Sequence, residues 1–466
     1  MRRTGRNIVS LALLGAAWLS TAAMTQPVLT ADQAVKMALE RNSQIVIANA
    51  GVLSARAGLY GAYAGVLPRL SAELGRSGSR TDKASGSSQF GSVVTPSITQ
   101  DRESYLTSPQ LTASWPVFNL SSLAGLSSAR AGLRASKLTR QATRADVALG
   151  TRQQFYQVVQ AVKLIGVTTN ALQLARDSER RVRALFEVGS VSRTDILQAQ
   201  VQTAQSQLDS MAAEQSLLAQ RVQLATLIGV EEAKMGEVDT VLTFTSREYD
   251  ERALLGEAER SRPDLQATAA RVRSAKAALN SARLARLPFV SLSGSATYGP
   301  KGQFKSKSYG TFPVEDADGN IIGFVTDPVT GGRNKADRQL SGQLAISWDL
   351  FDGLATDSRI ASARAALMQA QDAYNVLNRN LAGEVHEATL TYQQALGIES
   401  VAEAAVASAS ESVKLTQQKY NVGSATILEL ITAQVALQRA QSQLVNALAG
   451  IRVAEAKIDQ VRGHAE

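Results

Sequence analysis

Two runs of the chain, from Leu120 to Glu187 and from Leu354 to Asn421, contain no proline and few glycines. Each is about 65 residues, so a continuous helix over either would be about 100 Å long. Ordinary globular helices run three or four turns. Helices of this length must bury themselves on one another, and the sequence carries the pattern for it. Leu430, Leu437, Leu444, Ile451 and Ile458 recur every seven residues, with Ala433, Ala440, Ala447 and Ala454 three further along. That is the spacing of a coiled-coil seam. Leu197, Ala204, Met211, Leu218 and Ala225 step in the same way, with Val201, Leu208 and Val222 between them.

The chain is also written twice. "FEVGSVSRTDILQAQVQTAQSQL" from Phe186 is answered by "YNVGSATILELITAQVALQRAQSQL" from Tyr420. "SARAGL" at Ser54 answers "SAKAAL" at Ser274, and "LP" at Leu67 answers "LP" at Leu287, both at a shift of 220. "SWPVFN" at Ser114 answers "SWDLFD" at Ser347, and "SARA" at Ser128 answers "SARA" at Ser362. A period this long is not a solenoid repeat. It predicts two structural repeats, residues 24–245 and 246–466, packed as quasi-equivalent partners.

Within each repeat the elements follow one order. Thr30 and Gln33 form a capping box for a helix expected to run to about Gly65. A strand near 68–78 places Leu70, Ala72 and Leu74 on one face, with Arg69, Ser71 and Glu73 on the other. A polar loop is expected over about residues 79–105. A second strand, near 109–118, aligns Leu111, Ala113, Trp115 and Val117. Strands near 288–298 and 339–351 are expected in the second repeat. There Leu340, Gly342, Leu344, Ile346, Trp348 and Leu350 share one face, opposite Gln339, Ser341, Gln343, Ser347 and Asp349. About ten alternating residues suit a tilted transmembrane strand; a soluble sandwich strand would read the same locally. The two "VGS" passages fall between long helices. Gly189 and Gly423 can adopt the left-handed turn that ends a helix. Ser190 or Ser192, and Ser424 or Thr426, can cap the next. Each passage therefore reads as the tip of a helical hairpin, about 100 Å of helix from the strands. Asp195 and Glu429 each stand six residues after the glycine.

Composition narrows the function. Arg2, Arg3 and Arg6 precede "IVSLALLGAAWLSTAA", which reads as a secretory signal peptide over residues 1–23, cut near Ala22 or Ala23; a membrane anchor would need a longer apolar run. No other stretch reads as apolar for the 18 or more residues a spanning helix needs, so the mature chain is expected to be soluble or to cross a membrane as strands. There are no cysteines, which excludes disulfides, thiolate metal sites, a cysteine nucleophile and an acylated N-terminal cysteine. The net charge of +8 is scattered, without the basic stripe of a nucleic-acid binder. The two histidines, His386 and His464, carry no zinc-helix spacing. "DADGN" at Asp316 has its glycine at the wrong place for a calcium loop and reads as a hairpin turn. No nucleophile elbow, phosphate loop or dinucleotide fingerprint stands in context. No enzyme, cofactor or metal site is expected.

Four strands cannot seal themselves in lipid, because two edges stay open. Closure between chains would give eight strands from two copies or twelve from three. A barrel of about eight fills with side chains and a wider one keeps a lumen. Trp115, Trp348 and Tyr298 near strand ends suit an aromatic girdle.

The paired "SWPVF"/"SWDLFD" strand ends, the paired "VGS" tips, "RPDLQA" at Arg262 and "LTADQAVKMALERN" at Leu29 together resemble the TolC-type outer-membrane efflux and type I secretion family, over essentially the whole mature chain. The resemblance implies a mostly α chain with a transmembrane β part. Helical hairpins would form an α-barrel, and four strands per chain would join a trimeric, twelve-stranded β-barrel. It implies a passive exit duct in the outer membrane of a Gram-negative cell, extending into the periplasm. The implied partners are two further copies of the chain, outer-membrane lipid, a periplasmic adaptor and an inner-membrane transporter of RND, ABC or MFS type, with no nucleic acid. Val188, Gly189, Ser190, Val422, Gly423 and Ser424 would dock the adaptor. Asp195, Tyr420, Glu429 and Thr432 would form the periplasmic gate. Thr432 stands where the family has a second acidic residue, and Ala425 where it has an arginine, so a weaker negative ring is implied. A periplasmic coiled-coil adaptor is the alternative; it has one hairpin and no duplicated strand pairs.

Overall fold

The computed structural model describes residues 28–84, 88–90, 93–95, 100–298, 303–330 and 338–463. The expected signal peptide and His464 lie outside them. The elements in order are α1 (Ala31–Arg41), α2 (Ser43–Tyr63), β1 (Arg69–Ala84), β2 (Ser88–Phe90), β3 (Val93–Thr95), β4 (Gln100–Phe118), α3 (Leu120–Glu187) and α4 (Arg193–Ile228). A 3-10 turn at Glu232–Lys234 leads to α5 (Glu251–Ser261), α6 (Pro263–Leu284), β5 (Phe289–Tyr298), β6 (Gln303–Glu315), β7 (Ile321–Thr330), β8 (Arg338–Ser347), α7 (Ala355–Asn421) and α8 (Ile427–Val461). The proline-free runs are single helices of 68 and 67 residues.

Contacts group the chain into two compact units, each drawing on both halves of the sequence. One comprises Met1–Asn42, Val147–Arg247 and Thr391–Lys457; the other comprises Ser43–Asp146, Glu248–Leu390 and Ile458–Glu466.

The capping box at Thr30 is present, with Gln33 bonding back to the Thr30 backbone. The helix expected to run on to Gly65 is broken at Asn42, whose backbone is extended at φ −62°, ψ 135°. The Asn42 Nδ2 donates to the Leu227 carbonyl at 3.0 Å, which draws the chain out of the helix. The second half breaks in the same way at Arg262, φ −61°, ψ 119°. There the cause is Pro263, which crowds the residue before it out of the helical region. Arg262 sits 220 residues after Asn42, the same shift as the first landmarks. Its guanidinium pairs with Asp264 at 2.6 Å and with Glu384. Burial draws the Arg262 pKa down, but those two carboxylates outweigh it and hold it above the ordinary arginine value.

The sheet runs longer than the sequence suggests. The expected polar loop at 79–105 is largely strand: β1 and β4 pair antiparallel from Arg69–Ser114 out to Ala84–Gln100. Polar residues at odd and even positions of the sequence hide the alternation there. β4 also pairs with β5 and, further out, with β6; β5 pairs with β8, and β6 with β7. The result is four columns in the order β1, β4, β5, β8, with β6 on β4 further out and β7 on β6. The expected strand to residue 351 stops at Ser347, so Trp348, Asp349 and Leu350 follow it as irregular chain. Asp316–Asn320 is the β6–β7 turn, with Gly319 at φ +81° and the Asp318 and Asn320 amides donating to the Asp316 carboxylate.

The α3–α6 contact is close and polar. Ser121 and Ser281 each donate a hydroxyl to the other's carbonyl, at 3.0 and 2.8 Å. Ser128 and Ser274 do the same, both at 2.9 Å. Gly125 faces Ser281 and Gly132 faces Ser274, and without side chains they let the backbones approach.

The two heptad seams have different fates. In α8, Leu430, Ala433, Ala440, Ala447, Ile451, Ala454 and Ile458 are buried, and Leu437 and Leu444 are half-buried. In α4, Leu197, Val201, Leu208, Met211, Leu218 and Val222 are all exposed; only Ala225 of that seam is buried. α4 packs instead through Ala199, Ser206, Ser210, Leu224, Ala225 and Ile228. A second bare stripe lies on α2, where Val46, Leu53 and Tyr60 step by seven. By length and mean hydropathy, α2, at 1.3, and a stretch of α3, at 1.2, are each apolar enough to cross a bilayer, which corrects the sequence expectation that no later segment would be.

Candidate functional site

The residues singled out in the sequence fall in two places. The first is the sheet. Backbone register puts Leu70, Ala72 and Leu74 of β1 beside Ala113, Leu111 and Pro109 of β4. It puts Leu111, Ala113 and Trp115 beside Ala296, Gly294 and Leu292 of β5, and Ala296, Leu292 and Val290 beside Leu340, Leu344 and Ile346 of β8. This face is apolar yet open: Leu340 is 81% exposed, Ile346 74% and Leu74 74%. The other face carries Ser71, Glu73, Thr112, Ser114, Ser291, Ser293, Ser295, Gln339, Ser341 and Gln343. From Val290 to Tyr298 the apolar face extends about 26 Å along the strand, close to the height of the apolar band of a membrane barrel. In a water-soluble sheet the apolar face would be covered.

The aromatic residues sit at the ends of this band. The Trp115 indole N–H donates to the Val66 carbonyl at 3.1 Å, and that of Trp348 to the Arg286 carbonyl at 3.0 Å. Both acceptors stand two residues before a proline, Pro68 and Pro288, where helix turns into strand. Sequence reading found the tryptophans but not these bonds; the repeated "LP" was the available signal. Tyr298 lies at the opposite end of β5, with the Arg338 guanidinium over its ring at 5.4 Å.

The second place is the pair of hairpin tips, which use one turn. The Ser190 amide donates to the Leu185 carbonyl and the Gly189 amide to that of Phe186; the Ser424 amide donates to Lys419 and the Gly423 amide to Tyr420. Both are Schellman closures, with the glycines at φ +77° and +76°, a region that costs other residues energy. Val188 and Val422 project from the turns and are exposed, as are Ser190 and Ser424.

The structure resolves the caps. Ser192, not Ser190, caps α4 in a reciprocal box: the Asp195 amide donates to the Ser192 hydroxyl at 3.3 Å, and the Ser192 amide to the Asp195 carboxylate at 2.8 Å. Thr426, not Ser424, caps α8 by accepting from the Glu429 amide at 3.2 Å. Asp195 is therefore engaged within its own helix end. Glu429 is exposed, and so is Thr432, whose hydroxyl donates back to the Leu428 carbonyl.

One apolar cluster ties the tips together. Val182, Ala199, Ile427 and Leu430 are buried in it, and Val191, Ile196, Tyr420 and Ile431 pack against it. It draws on α3, α4, α7 and α8. The Tyr420 hydroxyl is buried without a hydrogen-bond partner among the described residues. Burial, and then the negative charge of Asp195, raise its pKa above the ordinary phenol value, although Arg181 pulls the other way. Asp195 and Tyr420 thus come together, while Glu429 and Thr432 stand apart from the cluster.

A model of the outer membrane efflux protein family matches residues 34–230 and 254–464. The chain belongs to the outer membrane efflux protein family. It is 25% identical over 348 residues to the outer membrane protein TolC of Vibrio cholerae, covering 74% of each chain. Among solved structures it resembles the outer membrane protein VceC of Vibrio cholerae, at a TM-score of 0.73 and 19% identity over 93% of this chain and 96% of that one. The Campylobacter jejuni CmeC outer membrane channel gives a TM-score of 0.73 at 17% identity, over 93% and 86% of the two chains. As a family member this efflux protein resides in the outer membrane, serves as a non-enzymatic exit duct, and is not a periplasmic adaptor.

Proposed function

We propose that three copies close into one twelve-stranded barrel, and that the hairpin tips form a periplasmic gate opened by a docked adaptor. The carrying observation is the sheet: β1 pairs only with β4 and β8 only with β5 among the described strands, so each keeps a free edge. Lipid does not tolerate such an edge, and β1 of one copy beside β8 of the next removes it. Three copies suit the inner face better than two. An eight-stranded barrel must be filled by its side chains, whereas the short serines, threonines and glutamines of this face suit a water-filled lumen. The exposed stripes of α2 and α4 would be covered by neighbouring copies.

On this reading, residues 24–245 and 246–466 each supply a sixth of the wall, and Trp115, Trp348 and Tyr298 mark the two membrane interfaces. At the tips, apolar packing holds the gate. Asp195 is engaged in its cap, Ala425 offers no charge, and three Glu429 side chains without a second acidic ring make a weak cation barrier. Val188, Gly189, Ser190, Val422, Gly423 and Ser424 would meet the adaptor of an efflux or type I secretion system, whose inner-membrane pump of RND, ABC or MFS type supplies the energy. Native mass spectrometry in detergent and planar-bilayer recording test this. Trimers that conduct in defined steps are expected; a water-soluble, non-conducting monomer overturns it.

A further inference from the structure

We propose that α7 of one copy seats on α2 of the next through Ser362 and Ser54, repeating between copies the serine joint that α3 and α6 form within one. The inference rests on the trimeric barrel reading. It adds the helix faces and the register that join the wall.

The internal joint continues a strand pair. β4 pairs with β5; α3 follows β4, and α6 leads into β5. The two free edges have the same arrangement, since α7 follows β8 and α2 leads into β1. When β8 of one copy meets β1 of the next, α7 and α2 are brought side by side as α3 and α6 are.

The duplication supplies the register. α3 and α7 carry the same Ser-Ala-Arg-Ala, at Ser128 and Ser362, and α2 reads "SARAGL" from Ser54 where α6 reads "SAKAAL" from Ser274. Matching bonds stand at matching positions. The Asn119 side chain accepts from the Ser122 amide at the start of α3, and that of Asp352 from the Thr356 amide at the start of α7, at 3.0 and 2.8 Å. Trp115 and Trp348 donate to the carbonyls of Val66 and Arg286, one before β1 and one before β5.

One joint is made and the other stands open. Ser128 and Ser274 donate to each other's carbonyls and are half-buried, whereas Ser54 and Ser362 are exposed. The residues around the open pair fit the same approach of backbones. Ala366 takes the place of Gly132, where a Cβ would stand 3.6 Å from the Ser274 hydroxyl, an ordinary contact. Ala355 and Gly61 take the places of Ser121 and Ser281 and are smaller. Arg359 takes the place of Gly125, where a Cβ would stand 3.6 Å from the Ser281 hydroxyl; Gly61 carries no hydroxyl to meet it. The joint between copies therefore has one serine pair where the internal joint has two.

The chain has no cysteine, so paired cysteines read the contact without background. The full-length protein carrying Ser54→Cys and Ser362→Cys is purified in neutral detergent, checked for trimers by native mass spectrometry, oxidised with copper phenanthroline and run on a denaturing gel. Most of the chain should shift to a covalent trimer that reductant returns to monomer, and either cysteine alone should give none. Ser54→Cys with Ser358→Cys moves one partner a turn along α7, about 6 Å, and should link about tenfold less, because a disulfide does not span the added distance. Native trimers in which the Ser54–Ser362 pair links no faster than the displaced pair, or links only within one chain, overturn the joint and leave the assembly standing. Spectra without trimers refute the assembly beneath it.

Discussion

Truncating Leu430 to alanine tests whether packing, and not charge, keeps the tips shut. Leu430 is 1% exposed and lies in the cluster with Val182, Ala199 and Ile427. Those neighbours come from the other hairpin or from its own first turn, so swinging α7 and α8 away from α3 and α4 uncovers it. Leu→Ala at a fully buried position costs about 2–5 kcal/mol. The loss falls on the closed state, because in the open one the side chain is already wet. Taking the lower figure, about 2 kcal/mol, the opening equilibrium of each copy shifts roughly 30-fold. Single-channel recording should show long-lived large-conductance states, and cells should admit bulky antibiotics. Leu444→Ala is the control: it lies half-buried on the same seam, outside the cluster, and should lower urea resistance without altering conductance. If Leu430→Ala weakens folding by the expected amount while conductance stays at the parental level, packing at this cluster does not hold the gate.

Tyr420→Phe should leave the tip as stable as before or up to about 1 kcal/mol more so, since it removes a buried hydroxyl with no partner; marked destabilisation would reveal a bond made between copies. With a raised folded-state pKa, tip stability is fully present below the ordinary phenol value of 10.0 and is lost as pH rises through the raised one. Alkaline conductance titration should show that opening, and Tyr420→Phe should abolish it. Gly189→Pro and Gly423→Pro demand a negative φ where the chain holds +77° and +76° and delete a closing amide, so export should stop while trimers persist; preserved export in both would remove the tips from docking. Gly229→Ala should lower the unfolding free energy read from urea titration by more than the roughly 1–2 kcal/mol of a left-handed residue, because its Cβ would also meet the Arg41 Cβ at 2.8 Å.

The parts of the fold with strict periodicity were legible in the sequence. β5 and the long helices α3 and α7 match their expected bounds closely, and β8 keeps its period-two face although it stops at Ser347. Legibility failed where neither period is expressed. In the outer halves of β1 and β4 the sequence is polar at odd and even positions alike, so backbone pairing extends where the pattern reads as loop. The break at Asn42 lacks a proline; only its distance from Arg262 announces it. A heptad stripe announces that a face wants a partner but not which one, hence the bare α4 seam. Asp195 shows the same limit at the tip. Serine followed three residues later by an acid marks a cap as readily as it marks a gate.

The reciprocal serine bonds between α3 and α6 have a consequence for assembly. The pairs are seven residues apart on each helix, so a slide by one turn, about 5.4 Å, would break both at once and set alanines or glycines against the orphaned hydroxyls. The joint is keyed: it can flex but has a single seating. The chain thereby carries its own alignment gauge, one that disfavours a shifted wall without help from any neighbouring copy.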